Sequence, residues 1–247
     1  MVYDPHKNTA LLFFVILLMA LCTLTASADG AHEINDTDMM IESLQKQLQR
    51  NPNDQDVHFM LGTAYDDLGR YEEAIASYKE VLRINPRDAF TYFNLGIVYG
   101  KLSRHDDALG AYRKVIALNP DDKDAYFNLG ITYGNMGRHE EAIQAYKKVI
   151  RLNPGEAGAF LNLGMSHAAL DNNESALHAF RKAVQLQPDS AIARYDLAIT
   201  YIRLKDKESA LKEYAILREL SPQLAEKLQG SLADLEKQKG VLSIPKQ

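Results

Sequence analysis

The chain holds one cysteine among 247 residues, and that cysteine, Cys22, lies inside an apolar run near the N-terminus. Everything after it has no thiol for a disulfide, a thiolate nucleophile or a zinc–cysteine site. Long lysine or arginine runs are missing too. With a formal charge of -5, a pI near 5.8 and the two signs interspersed, the chain lacks the electrostatic footprint of a phosphate-backbone binder, and no nucleic-acid partner is expected. No stretch rich in Ser, Gly or Pro divides it into domains. The glycines of 96–102 lack the spacing and hydroxyl residue of a phosphate-cradling loop. Carboxylates are plentiful, but no pair can be assigned to a dry cleft, so acid–base catalysis is not expected. Charged residues at 25% and hydrophobic ones at 46% describe a soluble globular chain rather than a disordered or multi-span one.

Prolines are few, and their placement is the strongest signal present. Six of the eight, at 52, 86, 120, 154, 188 and 222, are 34 residues apart. A tract of that period is a repeat array, whose units bury their apolar faces only by stacking and so build an elongated solenoid with a long concave wall. Five full units follow: 55–88, 89–122, 123–156, 157–190 and 191–224. Each divides into two helices. The first carries apolar residues at helical spacing, as in Tyr92, Leu95, Gly96 and Tyr99, then Tyr126, Leu129, Gly130 and Tyr133. The second repeats Ala74, Tyr78 and Val81, then Ala108, Tyr112 and Val115, then Ala142, Tyr146 and Val149. A glycine recurs at 62, 96, 130 and 164 and an alanine at 74, 108, 142, 176 and 210. Glycine inside a helix costs about 1 kcal/mol against alanine, so four at one register require a close approach, assigned here to the small alanine of the paired helix. A leucine at Gly130 should splay that pair.

These registers resemble the tetratricopeptide repeat: Leu-Gly then Tyr three on in the first helix, Ala then Tyr or Phe in the second, Pro near the end. The resemblance covers most of the chain and implies an all-α, right-handed superhelical solenoid of antiparallel helix pairs closed by capping helices. It further implies a partner-facing groove lined by the first helices. The groove set reads Phe59, Thr63 and Asp66, then Phe90, Phe93, Ile97 and Lys101, then Phe127, Ile131 and Asn135. It continues through Leu161, Met165 and Ala168 to Ile192, Tyr195, Ile199, Ile202 and Arg203. For Ile97, Ile131, Met165 and Ile199, packing between first helices competes with partner contact. Phe90, Phe93 and Phe127 form an aromatic cluster of the kind that anchors partners, and packing competes equally for them.

Asn94, Asn128 and Asn162 fall at one register and form a column. A side-chain amide has donor and acceptor and can pair with a peptide bond without reading side chains. The column resembles the asparagine ladder of O-linked N-acetylglucosamine transferases, although Met60 and Asp196 break it in the flanking units; helix-to-helix hydrogen bonding is the competing role. A carboxylate clamp of the co-chaperone type is not expected, because Lys101 and Arg203 are the only cations at groove positions. Asp56, Asp66 and Asp67 make the first unit acidic, which would favour a basic or neutral segment, although exposed charge at a solvated turn is the preferred role for them.

His105 and His139 share a register beside Asp106, Asp107, Glu140 and Glu141, but they replace Tyr71 at a packing position, and the carboxylates start second helices, where negative charge is favoured. His167 likewise replaces a recurrent tyrosine. No metal or cofactor is expected.

The ends depart from the repeat. Residues 29–54 read as a linker and a capping helix over 36–50 with Met40, Leu44 and Leu48 inward. Residues 225–247 read as a rear cap and tail, with Leu224, Leu228, Leu232 and Leu235 on one face and Gly240 as its stop. Residues 1–28 combine Lys7, an apolar stretch of about 15 residues and Ala26-Ser27-Ala28, the pattern of a signal peptide cleaved after Ala28. An uncleaved N-terminal membrane anchor or a lipoprotein at Cys22 are the alternatives. The expected protein is therefore an exported, non-enzymatic scaffold in the periplasm or on the outer face of a membrane, with a peptide or protein partner in its groove. A homo-oligomeric structural scaffold and a substrate-presenting subunit of an enzyme are the competing readings. Mass spectrometry of the exported protein should show an N-terminus at Asp29; one at Met1 would exclude cleavage.

Overall fold

The computed structural model describes residues 30–241, with side chains over 36–233. The leader at 1–28 lies outside the described residues. All regular structure among the described residues is α-helical. In chain order the helices are α1 Gly30–Arg50, α2 Gln55–Asp67, α3 Tyr71–Ile84, α4 Ala89–Lys101, α5 His105–Leu118, α6 Lys123–Asn135, α7 His139–Leu152, α8 Ala157–Ala169, α9 Asn173–Leu186, α10 Ala191–Arg203, α11 Lys207–Leu220 and α12 Pro222–Val241. Consecutive helices pack as pairs, each pair packs on the next, and the result is a right-handed superhelical solenoid of five hairpins between two further helices.

Local chemistry sets the punctuation. Each periodic proline follows the end of a second helix. Two residues later an N-cap residue opens the next first helix: Asp54, Asp88, Asp122 and Ser190 accept hydrogen bonds from backbone N–H groups of the first turn. Pro222 differs, since it is itself the first residue of α12, where its missing N–H has no partner to lose. Within each hairpin the tight turn needs one left-handed residue. Gly69 and Gly137 supply it at φ 71°, while Ser103, Asp171 and Lys205 adopt it at a steric cost.

The periodic glycines do meet a close neighbour, but it is not the alanine. A Cβ on Gly62, Gly96, Gly130 or Gly164 would stand 2.5–2.6 Å from the ring of Tyr78, Tyr112, Tyr146 or Phe180 on the paired helix. Each glycine is the flat seat of a buried aromatic ring, and the alanines Ala74, Ala108, Ala142 and Ala176 are buried separately in the same hairpins. In the fifth repeat Ala198 takes the seat and Tyr214 stays half-buried. Buried side chains group into two clusters, one from Ile41 to Ala179 and one from Ala176 to Leu232, which meet within the fourth repeat.

The caps differ from expectation in phase. The front helix starts at Gly30, and Ile41 and Leu44 face the core while Met40 is 39% exposed, because the helix rotates Ile41 into the position assigned to Met40. In the rear cap Ala225, Leu228 and Leu232 are buried and Leu224 is half-buried. The side chain of Leu235 lies outside those described, and α12 runs through Gly240 to Val241 instead of stopping.

The seat gives a direct contrast with Gly134, beside which a Cβ meets nothing within 4 Å. Gly134→Ala should gain about 0.5–1 kcal/mol from helix propensity, whereas Gly130→Ala should lose about 1–2 kcal/mol by overpacking Tyr146. Denaturant melts of the two variants decide; equal stabilisation by both would remove the seat.

Candidate peptide-binding groove

The first helices α2, α4, α6, α8 and α10 stand side by side, tied by contacts one repeat apart. Phe59 and Phe90 place their ring centroids 5.4 Å apart. Lys101 Nζ donates to Asp66 Oδ1 at 2.6 Å, Arg203 donates to the Ala168 carbonyl at 3.1 Å, and Gly158 lies beneath the Phe127 ring. These contacts set Phe59, Asp66, Phe90, Lys101, Phe127, Ala168 and Arg203 in order along the row of first helices.

Exposure separates the residues expected to line the groove. Phe90 (63% exposed), Met165 (50%) and Ile192 (60%) project from the wall. Phe93 and Phe127 are half-buried and meet Tyr112 and Tyr146 edge-on, at 5.8 and 5.9 Å between centroids, so they support the seat rings rather than standing free. Ile97, Ile131 and Tyr195 are half-buried in the wall, and Asn135 is exposed at its edge.

The asparagine column is present, with a polarity that sequence did not supply. Asn94, Asn128 and Asn162 donate Nδ2 to the carbonyls of Phe90, Asp124 and Gly158 on their own helices at 3.0, 2.9 and 2.9 Å. None bridges two helices. The bond draws each nitrogen toward the backbone and leaves Oδ1 and one N–H available.

The two groove cations are occupied. Lys101 is the partner of Asp66 and stands over the Tyr71 ring, and Arg203 holds the last turn of α8. The acid that remains is Asp56, Asp67 and Asp196. Burial and the adjacent Asp66 push Asp67 up, with Lys101 drawing it down. Burial pushes Asp196 up to about 6, outweighing the opposing pull of Arg203.

Two features were not singled out by sequence. Between the fourth and fifth repeats lies a shallow notch lined by Gly158, Leu161, Ala183, Ser190 and Ala193. Comparing registers reveals its origin: Leu161 stands where Phe93 and Phe127 stand, and Ala183 where Val115 and Val149 stand. The second is Asp196, legible as an acid in a column of amides but read only as a break. Behind the wall, Arg70, Arg104 and Arg138 lie 4.6–4.7 Å over the rings of Tyr65, Tyr99 and Tyr133. His167 and Asn172 replace that pair in the fourth repeat, and burial, with Lys147 nearby, holds the His167 imidazole below its usual range. No group of three metal-ligating side chains occurs among the described residues. No helix among them is long and apolar enough to cross a membrane.

A stack of helix pairs with an open, mixed apolar and amide wall defines a helical-repeat binding protein. Models of the tetratricopeptide repeat match residues 44–76, 62–103, 89–122, 124–156 and 161–225, and the chain belongs to that family. No match is found among curated protein sequences. Among solved structures, MamA is 30% identical over 67% of this chain and 98% of its own, with a TM-score of 0.60. MamA residues 41-end from Desulfovibrio magneticus RS-1 give 23% identity, 68% and 95% coverage and a TM-score of 0.65. YrrB, described as a TPR protein with an unusual peptide-binding site, gives 21%, 77% and 99%, and 0.65.

Asp196 also sets a pH dependence. Its folded value lies above the ordinary carboxylate value of 3.8, so its contribution to stability is present below that value and is lost as pH rises through about 6. Asp196→Asn should abolish this loss and raise stability at pH 7 by about 1 kcal/mol, partial exposure having reduced the effect. Melting curves at pH 4 and pH 7 test it; identical pH profiles for both proteins would show that Asp196 is well solvated.

Proposed function

We propose that the protein is a non-catalytic scaffold that holds an extended segment of a partner protein against the wall formed by α2, α4, α6, α8 and α10. The observation that carries this reading is the row of projecting apolar side chains, Phe90, Met165 and Ile192, beside a column of amide oxygens. Apolar side chains left in water on a concave wall anchor a partner, and the amides pair with its backbone. The peptide-binding site ascribed to the structurally similar YrrB supports it. Phe93 and Phe127 act as the floor beneath the anchors. The leader at 1–28 supports export and work on the outer side of a membrane.

Self-association is the second reading, favoured by Leu186, Leu211, Ile216 and Leu220, exposed on α9 and α11 away from the wall. Sedimentation against concentration separates it from the first.

The triple variant Phe90→Ala, Met165→Ala, Ile192→Ala should keep its melting temperature and lose most crosslinked partner protein in cells. Phe127→Ala, by contrast, should cost about 1–3 kcal/mol of stability because its ring is packed. An unchanged set of crosslinked proteins with the triple variant would defeat the groove reading.

A further inference from the structure

The amide column ends in an acid that the fold does not use. Where Asn94, Asn128 and Asn162 each give a hydrogen to the carbonyl four residues back, Asp196 has none to give. Its carboxylate is half-buried and accepts no hydrogen bond from any described residue; only its main-chain carbonyl is engaged, by Thr200 Oγ1 at 2.7 Å. An ionised carboxylate that is partly desolvated and unpaired is costly, and asparagine would serve the helix better, as it does in three other repeats. Apart from Thr200 and the Arg203 charge, which acts on it without a hydrogen bond, its neighbours on the same face of α10 are apolar. Ile192, one turn earlier and 60% exposed, lies next to it on α10, with Tyr195 beside it. The chain's own groove cations do not reach it as partners: Lys101 is on Asp66, and Arg203 gives its guanidinium hydrogen to the Ala168 carbonyl.

We propose that Asp196 is the subsite for a lysine or arginine side chain of the extended segment held in the groove, with the aliphatic stem of that side chain lying along Ile192. The fit is to the two-part chemistry of those side chains, an apolar stem ending in a hydrogen-bonding cation, which an exposed aliphatic group followed by an unpaired carboxylate matches in order. Charge complementarity runs the same way along the wall. Asp56 and Asp67 remain in excess after the Asp66–Lys101 pair is formed, so the approach of a basic segment is favoured along the array and is specified at Asp196. This inference rests on the groove reading and gives it a partner chemistry.

The test uses the purified full chain and a positional library of N-acetylated, C-amidated octapeptides, which carry no terminal charge. The wild-type protein should select lysine or arginine over norleucine at one position by about tenfold, the size of a charge-assisted hydrogen bond. Asp196→Asn, which is expected to fold at least as well, should lose that selection while keeping its apolar preferences, and Asp196→Glu should retain it. Selection of apolar residues without a cation preference would overturn this proposal and leave the groove reading standing. Retained cation selection by Asp196→Asn would also overturn it. No selection of any peptide would overturn both.

Discussion

Four of the five hairpins among the described residues close on one contact, a bare glycine backbone on the first helix under an aromatic ring on the second. With a Cβ at that point the ring of Tyr78, Tyr112, Tyr146 or Phe180 would have to move, and with it the distance between the two helices. Because the contact recurs with the same spacing, successive hairpins have the same shape and stack with the same offset, which is the condition for a regular solenoid. The groove inherits its regularity from this. Phe93 and Phe127 rest edge-on against the seated rings, and Asn94 and Asn128 follow them directly on the same helices.

The fifth repeat relaxes the rule. Ala198 fills the seat, Tyr214 is half-buried, and the core there belongs to a second cluster shared with α12. The same part of the array carries the smaller side chains Leu161 and Ala183 and the acid in the amide column. The array thus changes character between the fourth and fifth repeats, from packed and amide-lined to notched and acidic, so one groove presents two chemistries along its length.

On the wall, geometry redistributed roles among residues that the sequence had grouped together. Phe90, Phe93 and Phe127 read as one aromatic cluster, yet Phe93 and Phe127 share the register of Phe59 and each of these three rings meets a seated tyrosine, whereas Phe90 stands three residues earlier in its helix, at the register of Ile192, and like it projects into solvent. Lys101 and Arg203 stood out in the sequence as the only cations at groove positions. Each joins neighbouring repeats, one through Asp66 and one through a helix-end carbonyl. The asparagines looked able to present either end of their amides, but the bond to their own backbone orients them. The cap helices were found by amphipathic spacing and misphased by one residue at Met40, since an end helix has one partner face and a helix can rotate by a residue without leaving it.

What the sequence alone determined is everything that follows from period: the number of hairpins, the alternation of helices, the punctuation by proline and N-cap, and which faces are apolar. Those are local or nearest-neighbour properties, and a 34-residue register states them repeatedly. What only the tertiary structure decided is which partner each residue takes across the gap between helices. The glycine chose the ring and not the alanine, the two cations chose neighbouring repeats, and Asp196 was left without a partner. Such choices depend on side-chain reach and on distances between helices, which spacing along the chain does not encode.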